Sequence, residues 1–243
     1  MDGPLRPSLS LLGSAVADAI DALRADPPKI HALMAPVAQP LSANIAAALA
    51  IDVSMTVDAD DAVPMAKSAD AVLINLGMAD AARGESSVAL ASLGVPAVLD
   101  PVKVDRAPGR LALARRIAAG NIAIIKGNAG EMAALCDTPG AVRVTTGAID
   151  HVAQNGVGME VDVGTPLLDR VIATGCASGL LMAALLPQAA SPFVAAIAGV
   201  SLMGVAGAVA ADGAPGPGTF AVRLIDALAA LDGQRVAERV DLP

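Results

Sequence analysis

Aromatic residues are almost missing from this sequence. It has no Trp and no Tyr, and its two Phe are Phe193 and Phe220. That excludes recognition of single-stranded nucleic acid by stacking bases on aromatic platforms. Basic residues are outnumbered: 16 Lys and Arg stand against 24 Asp and Glu, a net charge of −8. With a pI near 4.6, a nucleic-acid surface is not expected. Cysteine is limited to Cys136 and Cys176, too few for a disulfide framework, which points to a reducing, cytoplasmic setting. His31 and His151 are far apart and lack metal-ligand spacing, so both read as structural. A secretory leader is not expected, because Asp2, Arg6, Asp18, Asp21 and Arg24 interrupt the stretch 1–24.

Charge is absent altogether from 171 to 211, and the run 193–211 is long enough to span a bilayer. It is mostly Ala, Gly, Ser and Val, with no basic cluster at either side. The expectation is a pair of buried helices, split by Pro187 and Ser191-Pro192, rather than a membrane span.

What the chain has is apolar surface. In 243 residues, 55% are apolar, and the mean hydropathy is +0.62. That is ample for a core of Ala, Val, Leu, Ile and Met, and the length fits one domain, 1–243.

Short β-type runs alternate with Ala-rich helical runs. Strands are expected at 29–34, 54–57, 71–76, 97–102, 122–126 and 141–145, with a possible hairpin at 150–154 and 159–163. Helices are expected at 42–50, 61–69, 80–93, 110–119 and 130–136, and from 175 onward. This alternation implies an α/β fold, a mostly parallel sheet with helices on both faces. Ligands in such folds bind beyond the carboxyl ends of the strands. The candidate segments are Asn75-Leu76-Gly77, Asp100-Pro101-Val102, Lys126-Gly127-Asn128, Thr145-Thr146-Gly147 and Ala173-Thr174-Gly175-Cys176.

Two of these segments carry chemistry, each beside a plainer reading. Thr174-Gly175-Cys176 opens a helix whose free N–H groups suit a phosphate or developing oxyanion. Cys176 falls in the first turn, where the dipole favours a thiolate that could take a proton from an alcohol. The plainer reading is a Thr-capped helix with a small buried Cys. Asn128 and Glu131, three apart, make a capping box. The functional alternative sets them near a hydrated Mg²⁺, with Lys126 on a phosphate and Asp100 as a second carboxylate.

In order and spacing, the segments AVLINLG (71–77), VPAVLDPV (95–102), IIKGNAGEM (124–132), VTTGAIDHV (144–152), RVIATGCASGLLMAALL (170–186) and GPGTFAVRLIDAL (216–228) resemble the hydroxyethylthiazole kinase family. Weaker similarity runs from 30 to 50. The resemblance implies a three-layer α/β/α ribokinase-like fold. It implies transfer of phosphate from ATP, with Mg²⁺, to the primary alcohol of 4-methyl-5-(2-hydroxyethyl)thiazole in thiamine synthesis and salvage. A homotrimer with substrate sites between subunits is also implied.

By position, the resemblance makes Cys176 the catalytic group, in the place where ribokinase relatives carry an Asp. Thr174 and Gly175 line its anion hole. Lys126, Thr146 and Asn128 contact the nucleotide, Asp100 and Glu131 serve Mg²⁺, and Gln39 and Ala173 lie at the thiazole. The chain departs from the family pattern at Lys126 (Arg), Ala173 (Gly), Gln39 (Met), the loop 103–106 and a shortened segment 131–144. A second reading is therefore a kinase-fold protein that binds a thiazole, a nucleotide or a protein partner without catalysis. A third is the ATP-dependent dehydratase branch of the same fold.

Overall fold

The structure is a computed structural model, and it describes residues 9–136, 138 and 140–240. Its strands are β1 (Lys29–Leu33), β2 (Asp52–Ser54), β3 (Ala71–Asn75), β4 (Ala97–Asp100), β5 (Ile122–Asn128), β6 (Val142–Thr146), β7 (Asp150–Gln154) and β8 (Val157–Val161). Its helices are α1 (Leu9–Ala25), α2 (Gln39–Ala48), α3 (Ala59–Lys67), α4 (Ala81–Ala91), α5 (Pro108–Ala118), α6 (Ala129–Leu135), α7 (Thr174–Leu185), α8 (Pro192–Ala211), α9 (Pro217–Ala230) and α10 (Gly233–Arg239).

The strands form one sheet in the order β2-β1-β3-β4-β5-β6-β7-β8. Pairing is parallel from β2 through β6 and antiparallel from β6 to β7 and β7 to β8. The expected mostly parallel sheet is thus what forms. The period-2 alternation of side chains sorts the apolar strands onto two cores. In β3, Ala71 and Leu73 face one core, while Val72 and Ile74 face the other. The first core is capped by α1, α2 and α7 to α10, the second by α3 to α6. This is a three-layer α/β/α arrangement, as expected.

The uncharged stretch supplies α7 and the 20-residue α8. By length and composition α8 could cross a membrane, yet most of its residues are buried inside the protein. The hairpin turns at Asn155-Gly156, both with positive φ, 50° and 79°. Two such residues suit a type I′ turn, which matches the twist of the strands. Its second strand lies two residues earlier than expected, and so does β2.

Helix α1 was outside the expected alternation. Its Leu12, Val16, Ala19, Ile20 and Leu23 are buried. Their spacing of three and four residues is that of one helix face. Close packing also positions the site. A side chain at Gly204 of α8 would put its Cβ 2.4 Å from the Val163 carbonyl oxygen, so the segment after β8 lies directly on the helix backbone.

Candidate active site

The candidate residues converge where β3, β4 and β5 end and α7 begins. Register sets Asn75 beside Asp100 as Cα partners across the parallel β3–β4 pair. Asn75 Nδ2 donates to Asp100 Oδ2 at 2.8 Å. Lys126 Nζ donates to the same oxygen at 3.3 Å and to the Gly175 carbonyl at 2.8 Å. Asn75, Asp100 and Lys126 are all buried. A buried charge needs a partner, and here each charged group has one.

The electrostatics follow from burial and these neighbours. Burial raises the Asp100 pKa above its ordinary value, with Lys126 opposing and Glu131 adding. For Lys126, burial works against the charge, but Asp100, Cys176 and Glu131 outweigh it and the pKa ends raised. The fold opposes the thiolate expected at Cys176. Burial first, and then the Asp100 carboxylate, push the half-buried thiol up to about 11. The local dipole argument omitted the desolvation that the fold imposes. Thr174 does not cap α7 either: its hydroxyl donates to the carbonyls of Leu168 and Val171, at 2.8 and 3.2 Å. The N-cap is Ala173, in left-handed backbone at φ +77°.

The capping box at α6 is formed in full. Asn128 Oδ1 accepts from the Glu131 N–H at 3.0 Å, and Glu131 Oε2 accepts from the Asn128 N–H at 2.9 Å. Glu131 Oε1 accepts from the Lys103 N–H at 2.7 Å, which pins the loop after β4. Among the described residues no group of three His, Cys, Asp or Glu side chains could hold a metal ion.

A cleft of about 490 Å³ opens beyond the ends of β5 and β6. It brings together Asn128, Thr146, Thr174 and Gly175. Lys126 and Asp100 lie under its floor at the start of α7, and Cys176 sits beside them; none of the three lines it. Glu131 stays in its capping box, Ala173 precedes α7, and Gln39 begins α2, all outside the cleft.

Four groups were not singled out from the sequence. Asp150, Asp162 and Asp169 line the cleft, and among the described residues no Lys or Arg does. Asn75 was recognised as a strand end but given no role. Its signal was a carboxamide closing the apolar run AVLI, a polar group that must find partners once buried.

A profile of the hydroxyethylthiazole kinase family matches residues 20–143 and 133–234. The two stretches overlap at 133–143, across the α6–β6 connection. The chain is 33% identical to the hydroxyethylthiazole kinase of Clavibacter sepedonicus, across 96% of this chain and 97% of the relative. The solved hydroxyethylthiazole kinase of Pyrococcus horikoshii superposes with a TM-score of 0.86 at 28% identity, covering 90% of this chain and 94% of that one. A ribokinase-like superfamily protein from Enterococcus faecalis superposes at 0.62 with 14% identity, covering 92% and 90%, and shares the fold. With its sheet order, its site at the strand ends and these matches over nearly its whole length, the chain belongs to the hydroxyethylthiazole kinase family, within the ribokinase-like fold.

Proposed function

We propose that the protein transfers the terminal phosphoryl group of ATP to the primary alcohol of 4-methyl-5-(2-hydroxyethyl)thiazole, a step of thiamine synthesis and salvage. One observation carries the reading. The first turn of α7, with its unpaired N–H groups, meets the cleft through Thr174 and Gly175 while Cys176 follows directly beside Asp100. Asn128 and Thr146 hold the nucleotide at the cleft wall. The N–H groups at the start of α7 hold the phosphoryl oxygens, aided by the helix dipole. Phosphoryl transfer depends mainly on positioning and charge, so this turn does most of the work.

The alcohol oxygen bonds to phosphorus as the bond to ADP breaks, and the alcohol proton passes to the Cys176 thiolate. The pKa of about 11 keeps that thiolate scarce at neutral pH. The side chains of Gln39 and Ala173 face the thiazole. Both Glu131 oxygens and Asp100 Oδ2 already accept hydrogen bonds, which suits a hydrated Mg²⁺. Mg²⁺ retains its waters readily, so Asp100 and Glu131 would hold it through them. When bound it neutralises charge on the phosphate oxygens.

The protein forms a homotrimer of single-domain chains, 1–243, with substrate sites between subunits, and works in the cytoplasm. Exposed Val37 and Met78, in the loops that follow β1 and β3, support an interface there. A monomeric mass in solution at micromolar concentration would count against it.

A coupled assay for ADP with the thiazole alcohol, ATP and Mg²⁺ tests the activity. One observation favours a second reading, a binding protein without turnover: among the described residues, the cleft has no Lys or Arg to meet a nucleotide. Binding of ATP or the alcohol by calorimetry, with no ADP formed, would establish that reading instead.

A further inference from the structure

We infer that Asn75, braced by Arg83, is a positioning residue: it fixes the Asp100 carboxylate against Lys126 and thereby holds the first turn of α7. The inference deepens the kinase reading and, as regards turnover, rests on it.

Asn75 is wholly buried, and both ends of its carboxamide are used. Nδ2 donates to Asp100 Oδ2, and Oδ1 accepts from the Gly77 N–H at 3.0 Å. A short planar amide on a strand has far less freedom than the long Lys126 side chain. The carboxylate plane of Asp100 is therefore set from β3, and Lys126 follows it. Lys126 in turn reaches Gly175, so the start of α7 is tied to the end of β3 through three side chains, Asn75, Asp100 and Lys126. An Asp at 75 would set a second buried carboxylate on Asp100. An apolar residue would leave Oδ2 and the Gly77 N–H each without this partner.

Arg83 explains why Asn75 holds still. The guanidinium lies 4% exposed and donates only to carbonyls: Nη1 to Gly77 at 2.8 Å and Met78 at 3.2 Å, Nη2 to Asn75 at 3.3 Å. Among the described residues no carboxylate forms an ion pair with it, and its Nε has no partner. A buried cation without a direct ion pair costs stability, and the charge of Asp80 nearby offsets only part of the burial. What it secures is shape: three carbonyls of one turn, including that of Met78 at φ +52°, are held by one guanidinium.

The test pairs amide hydrogen exchange with kinetics, in the intact protein. Asn75→Ala is expected to speed exchange in the segment 171–182, almost a hundred residues away, as well as at 75–79. It is expected to lower kcat about tenfold, the size of a coupled contact, while the KM for ATP moves less than about twofold. In an Asp100→Asn background the same change should add less than about twofold, because both act through one carboxylate. Faster exchange confined to 75–79, or losses that simply multiply, would overturn the inference. Should Asn75→Ala not fold, Arg83→Lys keeps the charge and loses the planar grip; it should give the same exchange pattern, and normal protection at 171–182 would overturn the inference equally. The exchange result stands apart from turnover. If the wild type forms no ADP, the kinase reading fails while exchange still decides the role of Asn75.

Discussion

The ammonium of Lys126 lies 2.8 Å from the carbonyl oxygen of Gly175, so a strand-borne cation fastens the first turn of α7 to the sheet. The same ammonium neutralises Asp100. Removing one member of a buried pair strands the other charge, at a cost of about 3–5 kcal/mol, whereas removing both is often close to neutral. Lys126→Met is expected to lose that stability, and Lys126→Met with Asp100→Asn to recover most of it without regaining phosphoryl transfer. Urea unfolding of the two proteins checks this. Equal losses in both would show that the pair is not the source.

Cys176 carries the sharpest kinetic expectation. Cys176→Ala should lower turnover by about 10²-fold or more, the ordinary range for a general base. Cys176→Asp should retain or raise it, since an Asp there is ionised at neutral pH when its own pKa stays near the usual range. With the thiol at about 11, the active thiolate fraction grows as pH rises toward that value. Wild-type kcat should therefore climb through the mildly alkaline range, and the Asp variant should be flat there. An unchanged rate in Cys176→Ala would remove the base assignment.

Ala173 sits in left-handed backbone, at φ +77° and ψ 4°. A residue with a Cβ pays about 1–2 kcal/mol there, and glycine does not. Part of the gain is lost to the greater freedom of glycine in the unfolded chain. Ala173→Gly is expected to stabilise by about 0.5–1 kcal/mol, or roughly 1–4 °C in Tm. A thermal melt decides it, and a lower Tm would contradict the strain argument.

His31 links stability to pH. It is fully buried on β1, its Nδ1 lies 2.8 Å from Ser54 Oγ, and its Nε2 has no partner. Burial lowers its pKa to about 4. Below about 6.5 the unfolded chain takes up a proton that the folded chain refuses, so stability falls as pH drops from there toward 4. The loss is of order 1–3 kcal/mol. His31→Gln should flatten that part of the curve. An unchanged slope between pH 6.5 and 4 would place the acid sensitivity elsewhere.

Much of the fold was legible because local chemistry dictated it. The runs AVLINL and IAIIK read as strands covered on both sides, and the hairpin was legible in outline, although the Asn155-Gly156 turn sets its second strand at Val157 rather than at 159. The capping box was legible for the same reason: its partners are three residues apart. Helix α1 carries a readable stripe too, at Leu12, Val16, Ala19, Ile20 and Leu23. What local sequence could not show was pairing across strands. Lys126 reads as a free cation until the register of β4 and β5 sets Asp100 beside it. Cys176 reads as a thiolate until the surrounding layers remove the water. Asp150 begins β7 while Asp162 and Asp169 lie on the connection from β8 to α7, and these cleft carboxylates meet only in the folded chain.

That acidic cleft has a consequence for how any anionic ligand arrives. Among the described residues, Asp150, Asp162 and Asp169 line it without a Lys or Arg, on a chain of net charge −8. Most nucleotide sites draw their ligand in, and added salt weakens capture. Here the long-range field opposes a polyanion, and counterions relieve the opposition within a Debye length of about 10 Å at 0.1 M. Association should quicken as ionic strength rises, so the salt of its surroundings, rather than its own charge, governs how fast the protein fills.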